Sequence, residues 1–100
     1  MEFINKVELQ GLVHNIYPSQ NVTKVSMYTE QVFKTSDGIP VIQTTWMSVV
    51  IPKHLLKDIS VSRGDAINVK GMFQTAKYAT PEGERVLYEV KATDLKRVAL

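Results

Sequence analysis

Hydrophobic and polar positions alternate with a period of two along most of this chain, and turn-forming residues break the alternation at short intervals. That pattern predicts a small all-β fold. In the stretch from Phe3 to Val13, Val7, Leu9, Gly11 and Val13 fall on one parity and Lys6, Glu8 and Gln10 on the other, as in a strand with one buried face. Asn15 to Asn21, which contains Pro18 and Ser19, is predicted to be a loop. A second strand covers Val22 to Tyr28, with Val25 and Met27 inward and Lys24, Ser26 and Tyr28 outward. Between Glu30 and Pro40, Ser36-Asp37-Gly38 is a hairpin turn signal, so a long loop or ribbon is expected there.

The third run, Gln43 to Ile51, puts Thr45, Met47, Val49 and Ile51 on one face and Thr44, Trp46, Ser48 and Val50 on the other, which keeps Trp46 out of the core. Pro52 ends it, and Leu55, Leu56 and Ile59 at helical spacing predict a short helix over residues 53 to 60 that plugs one end of a barrel. Ser62-Arg63-Gly64-Asp65 is the turn out of that helix. Ile67, Val69, Gly71 and Phe73 are expected on the inward face of a fourth run, Gly71 permitting the sharp coiling of a small barrel. Thr80-Pro81-Glu82-Gly83 fits a type I turn, so its flanks, Gln74 to Ala79 and Arg85 to Ala92, predict a hairpin arm. No repeat, low-complexity tract or linker divides the chain. One hundred residues with 44% hydrophobic content suffice for one modest core, and residues 1–100 read as a single domain.

Composition removes several classes of function. Cysteine is absent, which excludes disulfide frameworks, thiolate zinc sites and cysteine nucleophiles and agrees with a reducing compartment. No apolar run approaches the roughly 18 residues of a membrane span, so a cytosolic location is expected. The chain offers no phosphate-binding glycine loop, catalytic triad or paired carboxylates, so neither catalysis nor a cofactor or metal is expected. His54 and Asp58 read as a surface helix pair without a nucleophile or third ligand, and His14 stands alone at a strand end. Arg63-Gly64-Asp65 matches an adhesion tripeptide, but a turn calls for glycine in any case. Twelve Lys and Arg against ten Asp and Glu give a net charge of only +2. Yet Glu82, Glu84 and Glu89 cluster late while the lysines are spread, which leaves room for a cationic face.

The order of three strands, short helix and two strands is that of the OB fold, a five-stranded barrel. Here particular residues match a family. Asn5-Lys6-Val7-Glu8-Leu9-Gln10-Gly11 resembles the opening strand of the bacterial single-stranded DNA-binding proteins, Asn-Lys-Val-x-Leu-x-Gly. Thr45-Trp46 with Val49-Val50 resembles their third strand. Arg63-Gly64-Asp65 to Val69-Lys70-Gly71, then Gln74-Thr75-Ala76-Lys77-Tyr78 and Gly83-Glu84-Arg85 before Tyr88-Glu89-Val90, is similar to their late hairpin. The chain departs from the family where Val32 and Phe33 replace a stacking Trp, where Trp-His-Arg becomes Trp46-Met47-Ser48, and where Pro52 replaces an aromatic. The sequence stops at Lys96-Arg97-Val98-Ala99-Leu100, so the family's Gly-rich, acidic tail is not expected here, nor the partner recruitment it carries. A domain of this size also resembles the primosomal replication protein of related fold.

The resemblance implies sequence-tolerant binding of single-stranded DNA, in replication, recombination or repair, by a homo-oligomer paired through its first strands. Single strands present base faces that stack on aromatics and phosphates that meet Lys and Arg. The stacking candidates are Trp46, Tyr78, Phe33 and Tyr28; the polar and cationic candidates are Ser48, Lys6, Lys24, Lys34, Lys53, Lys77 and Arg85. Blander readings stand beside these: a covered Trp46, a Tyr78 or Tyr28 packed on a neighbouring strand, a buried Phe33, and solvated lysines. RNA is an equally good ligand for stacking, which ignores the 2′-hydroxyl. The rival function is an OB-fold protein-interaction subunit using Trp46 and Phe33, with nucleic acid irrelevant.

Overall fold

A computed structural model describes residues 1–99; Leu100 lies outside the described residues. Strands β1 (Val7–Pro18), β2 (Val22–Lys34), β3 (Pro40–Pro52), β4 (Ala66–Thr80) and β5 (Gly83–Arg97) close into a barrel in the order β1-β2-β3-β5-β4. All pairings are antiparallel except β3 with β5, which meet in parallel at Val49 with Val90 and Val50 with Lys91. This is the all-β, five-stranded OB arrangement that the strand order predicts. The inward parities hold: Val25, Met27, Val49, Ile51, Ile67, Val69 and Val90 are fully buried, with Val13, Ala92 and Leu95 completing the core.

The expected loop over residues 15 to 21 is mostly strand, because β1 runs on to Pro18 and only residues 19 to 21 turn. The register shifts between Val13 and Asn15, pairing Val13 with Met27 and Asn15 with Ser26 and leaving His14 as an extra residue. A bulge of this kind breaks the period of two. It lets Ile16, three positions after Val13, pack on the core as well. The bulge is held from outside: Val13 N donates to the Asp65 carbonyl, Gly64 N to the Val13 carbonyl, and Arg63 Nε to the His14 carbonyl at 3.0 Å. Gly64 sits at φ 87°, a conformation that side chains disfavour, which is why a glycine occupies this turn.

The helix expected over 53 to 60 is a single 3-10 turn, Lys53–Leu56. It has no side-chain cap, no acid in its first turn, and Lys53 and His54 as its basic residues, so nothing favours a longer helix. Leu55 and Leu56 still pack against the core. Phe73 is not covered as expected but 47% exposed. It pairs with the buried Val90, so its parity is inward, but β4 and β5 continue past the barrel there as a free arm that ends at Pro81 and Glu82. The root of that arm is clamped by Asn5, whose Nδ2 donates to the Phe73 carbonyl at 2.8 Å while its Oδ1 accepts from Phe73 N at 3.0 Å. A side-chain amide thus makes the pair of bonds that another strand residue would make.

Candidate nucleic-acid interface

The unbroken register of β2 with β3 lays out one outward row on each strand: Lys24, Ser26, Tyr28, Glu30, Val32 and Lys34 on β2, facing Val50, Ser48, Trp46, Thr44, Ile42 and Pro40 on β3. Trp46 lies opposite Tyr28, their rings 4.9 Å apart and tilted by 43°. The bulged His14 reaches the indole from the β1 side, ring centroids 5.0 Å apart and nearly perpendicular at 80°. Both contacts fall in the range of favourable aromatic pairs. Even so braced, Trp46 stays 53% exposed. The indole is thus fixed on two sides and otherwise open to solvent.

Lys24 and Tyr78 meet further along the same side of the barrel. Lys24 Nζ donates to the Tyr78 hydroxyl and lies 4.7 Å from the Tyr78 ring centroid, and Glu89 Oε2 faces it at 3.5 Å. Glu89 is 2% exposed and its Oε1 accepts from Gln74 Nε2. Its Oε2 takes no hydrogen bond, so Lys24 is the counter-charge of a nearly buried carboxylate. The Tyr78 hydroxyl bond raises the Lys24 pKa above its ordinary 10.5, burial opposes the rise, and the Glu89 charge adds to it. Lys24 is therefore charged at neutral pH but already engaged, and a phosphate must compete with Glu89 to reach it.

The remaining candidates divide. Ser48 adjoins Trp46 on the same row, paired with Ser26, and Lys34 closes the row at the tip of the β2–β3 ribbon. Phe33, 48% exposed, pairs with Val41 on the opposite parity, so Val32 and Ile42, not Phe33, share the Trp46 face. Lys53 is exposed at the start of the 3-10 turn, beyond the end of β3. Lys6 precedes β1 beside Gly71, at the strand end remote from His14. On the arm, Lys77 bridges to Glu84 at 3.7 Å and Arg85 to Glu82 at 3.6 Å, all four side chains well exposed. Such exposed pairs are weak, and their two cations and two acids leave the arm with no net charge from these four residues.

Two residues passed over in the sequence shape the surroundings of the indole: His14 meets it, and Arg63 holds the His14 backbone. His14 looked isolated because the bulge that turns it to Trp46 has no signature in an alternating pattern. Arg63 looked like part of a generic turn, yet its Nε is bonded to the His14 carbonyl, and it forms no ion pair among the described residues. Its terminal nitrogens are thus available to an anion beside the aromatic cluster.

No family model and no curated protein matches the sequence. Solved structures do match. The Plasmodium falciparum SSB in complex with ssDNA is similar over 99% of this chain and 98% of that one, at 20% identity and a TM-score of 0.79. A deletion mutant of the single-stranded DNA-binding protein from Thermus aquaticus is similar over 96% of this chain and 51% of that one, at 14% identity and a TM-score of 0.75. The small single-stranded DNA-binding protein from Streptomyces coelicolor is similar over 93% of each chain, at 12% identity and a TM-score of 0.71. The chain shares its fold with these proteins over 93–99% of its length.

Proposed function

We infer that this protein binds single-stranded nucleic acid, largely without regard to sequence, and performs no chemistry on it. The observation that carries the reading is the exposed Trp46, braced by Tyr28 and His14 on an outward face that also holds Ser48 and Lys34, with Arg63 bonded to the His14 carbonyl. A base stacks on such a ring at ~1–3 kcal/mol, and the neighbouring cations meet its phosphates. Tyr78 is a second platform, 36% exposed and anchored over Lys24. Single-stranded DNA is the ligand named by the resemblance in β1, β3 and the late hairpin, and by the proteins that share the fold. Roles in replication, recombination or repair follow from the same resemblance.

If about four cations touch phosphate, the log–log dependence of affinity on salt has a slope of about −2.8, at −0.7 per contact on a single strand. Equilibrium titrations of labelled oligo-dT over a salt series measure it. A slope near zero contradicts the reading. Self-association belongs to the same reading, supported by the exposed Phe3 and Ile4 just before β1. Light scattering that returned an 11.3 kDa monomer would contradict it. The rival reading, a protein-interaction subunit, draws on the arm, where Phe73, Val86 and Tyr88 are exposed and both tip cations are paired with acids.

A further inference from the structure

We propose that His14 orients the Trp46 indole and makes capture of single strands by this face pH-dependent, stronger as the imidazole takes up a proton. This rests on the binding reading above, and deepens it by naming a residue that regulates the same site.

The geometry has three parts. His14 is the extra residue of the β1 bulge, so its side chain is free of the ladder pairing that fixes its neighbours. The bulge is not loose, because Arg63 Nε holds the His14 carbonyl at 3.0 Å and Gly64 N and Asp65 O hold Val13. The imidazole then meets the indole at 5.0 Å and 80°, while Tyr28 meets it at 4.9 Å from the other strand. The indole thus has two aromatic restraints, of which one can change charge between about pH 5 and 8.

The groups around His14 set the sign. From β2 come the Tyr28 hydroxyl and, farther along the outward row, Glu30 and the Lys24 ammonium with its Glu89 partner; from β3 comes the uncharged Trp46. From the turn comes the Arg63 guanidinium, while the Asp65 carboxylate there is already held by Ser62 N at 2.8 Å and by Arg97 at 3.5 Å. A single strand stacked on Trp46 brings phosphates to this position. They favour the imidazolium over the neutral ring. The extra affinity is therefore present at acidic pH and is lost as the imidazole gives up its proton. The imidazolium against the indole also strengthens the bracing, a cation–π contact at an exposed site.

The test exploits the single Trp of the chain. An imidazolium quenches a neighbouring indole, so Trp46 emission of the free protein falls as pH is lowered from 8 to 5.5. His14→Gln abolishes that fall, and His54→Gln, on the 3-10 turn, retains it. Oligo-dT titrations at the two pH values then show wild-type affinity about two- to fivefold higher at the lower pH, with His14→Gln flat. Flat emission in the wild type with normal oligo-dT binding overturns the role of His14 and leaves the binding reading standing. A titrating emission with no oligo-dT binding at either pH overturns the binding reading, and the pH-dependent capture with it. Retention of both pH effects in His14→Gln also overturns the proposal.

Discussion

Trp46→Ala lowers the affinity for oligo-dT about 5- to 150-fold, the equivalent of one stacked base at ~1–3 kcal/mol. The size of the effect follows from position. The indole lies on the outward row of β3, 53% exposed, with Tyr28 and His14 against it and no part in the core. Its removal opens no cavity among the buried valines and isoleucines. Stability falls only by the lost aromatic pairs, about 1–2 kcal/mol, so weaker binding reflects the site and not unfolding. Trp46→Phe, which keeps a smaller ring, recovers part of the affinity. Fluorescence anisotropy of labelled oligo-dT measures both variants, since it does not depend on the indole. Unchanged affinity in a folded Trp46→Ala protein moves the binding surface elsewhere, with Tyr78 and the arm as the next place to look.

Gly71→Ala destabilises the fold by about 3 kcal/mol, the upper end of the usual range for overpacking. At this point β4 and β5 change register: Lys70 pairs with Asp94 but Gly71 with Ala92, and Thr93, left over, donates its hydroxyl to the Lys70 carbonyl at 3.2 Å. A Cβ on residue 71 would stand 2.0 Å from the Lys91 carbonyl oxygen. The obstacle is backbone, so no side chain can swing aside, and Lys91 lies next to Val90 in the short parallel junction that closes the barrel. Thermal unfolding shows the loss as a fall in Tm of about 12 to 24 °C for a domain of this size. A fall of only a few degrees would mean that the strands separate there at little cost. Because the register shift sits at the root of the arm, a surviving Gly71→Ala fold also tests whether the arm keeps Tyr78 over Lys24.

Much of this architecture was legible in the sequence because alternation is a local signal. Val25 with Met27, Val49 with Ile51 and Ile67 with Val69 declared their faces by parity alone, and so did the outward Trp46. The turns at Gly38 and Gly83 were equally plain, since both glycines adopt positive φ. What failed were the places where the chain departs from period two or where partners are remote. The bulge at His14 left the last third of β1, Asn15 to Pro18, looking like a loop. Leu55, Leu56 and Ile59 carried helical spacing, but a run without caps supported only a 3-10 turn. Phe73 kept its parity and lost its cover because nothing in a pattern tells where a barrel ends and an arm begins. The contact of Lys24 with Tyr78 joins residues 54 apart, and the parity of Phe33 set it across the ribbon from Trp46. The outward row around Trp46 was thus readable in its centre and not in its surroundings.

Binding as proposed depends on an exposed, braced indole that accepts a base. Titrating oligo-dT into the wild-type protein at low salt, while following Trp46 emission, measures that step directly, because no other Trp contributes. Stacking predicts strong, saturable quenching that is reversed by added salt. Emission that stays constant while the oligonucleotide is demonstrably bound, or an oligonucleotide that does not bind at all, contradicts it.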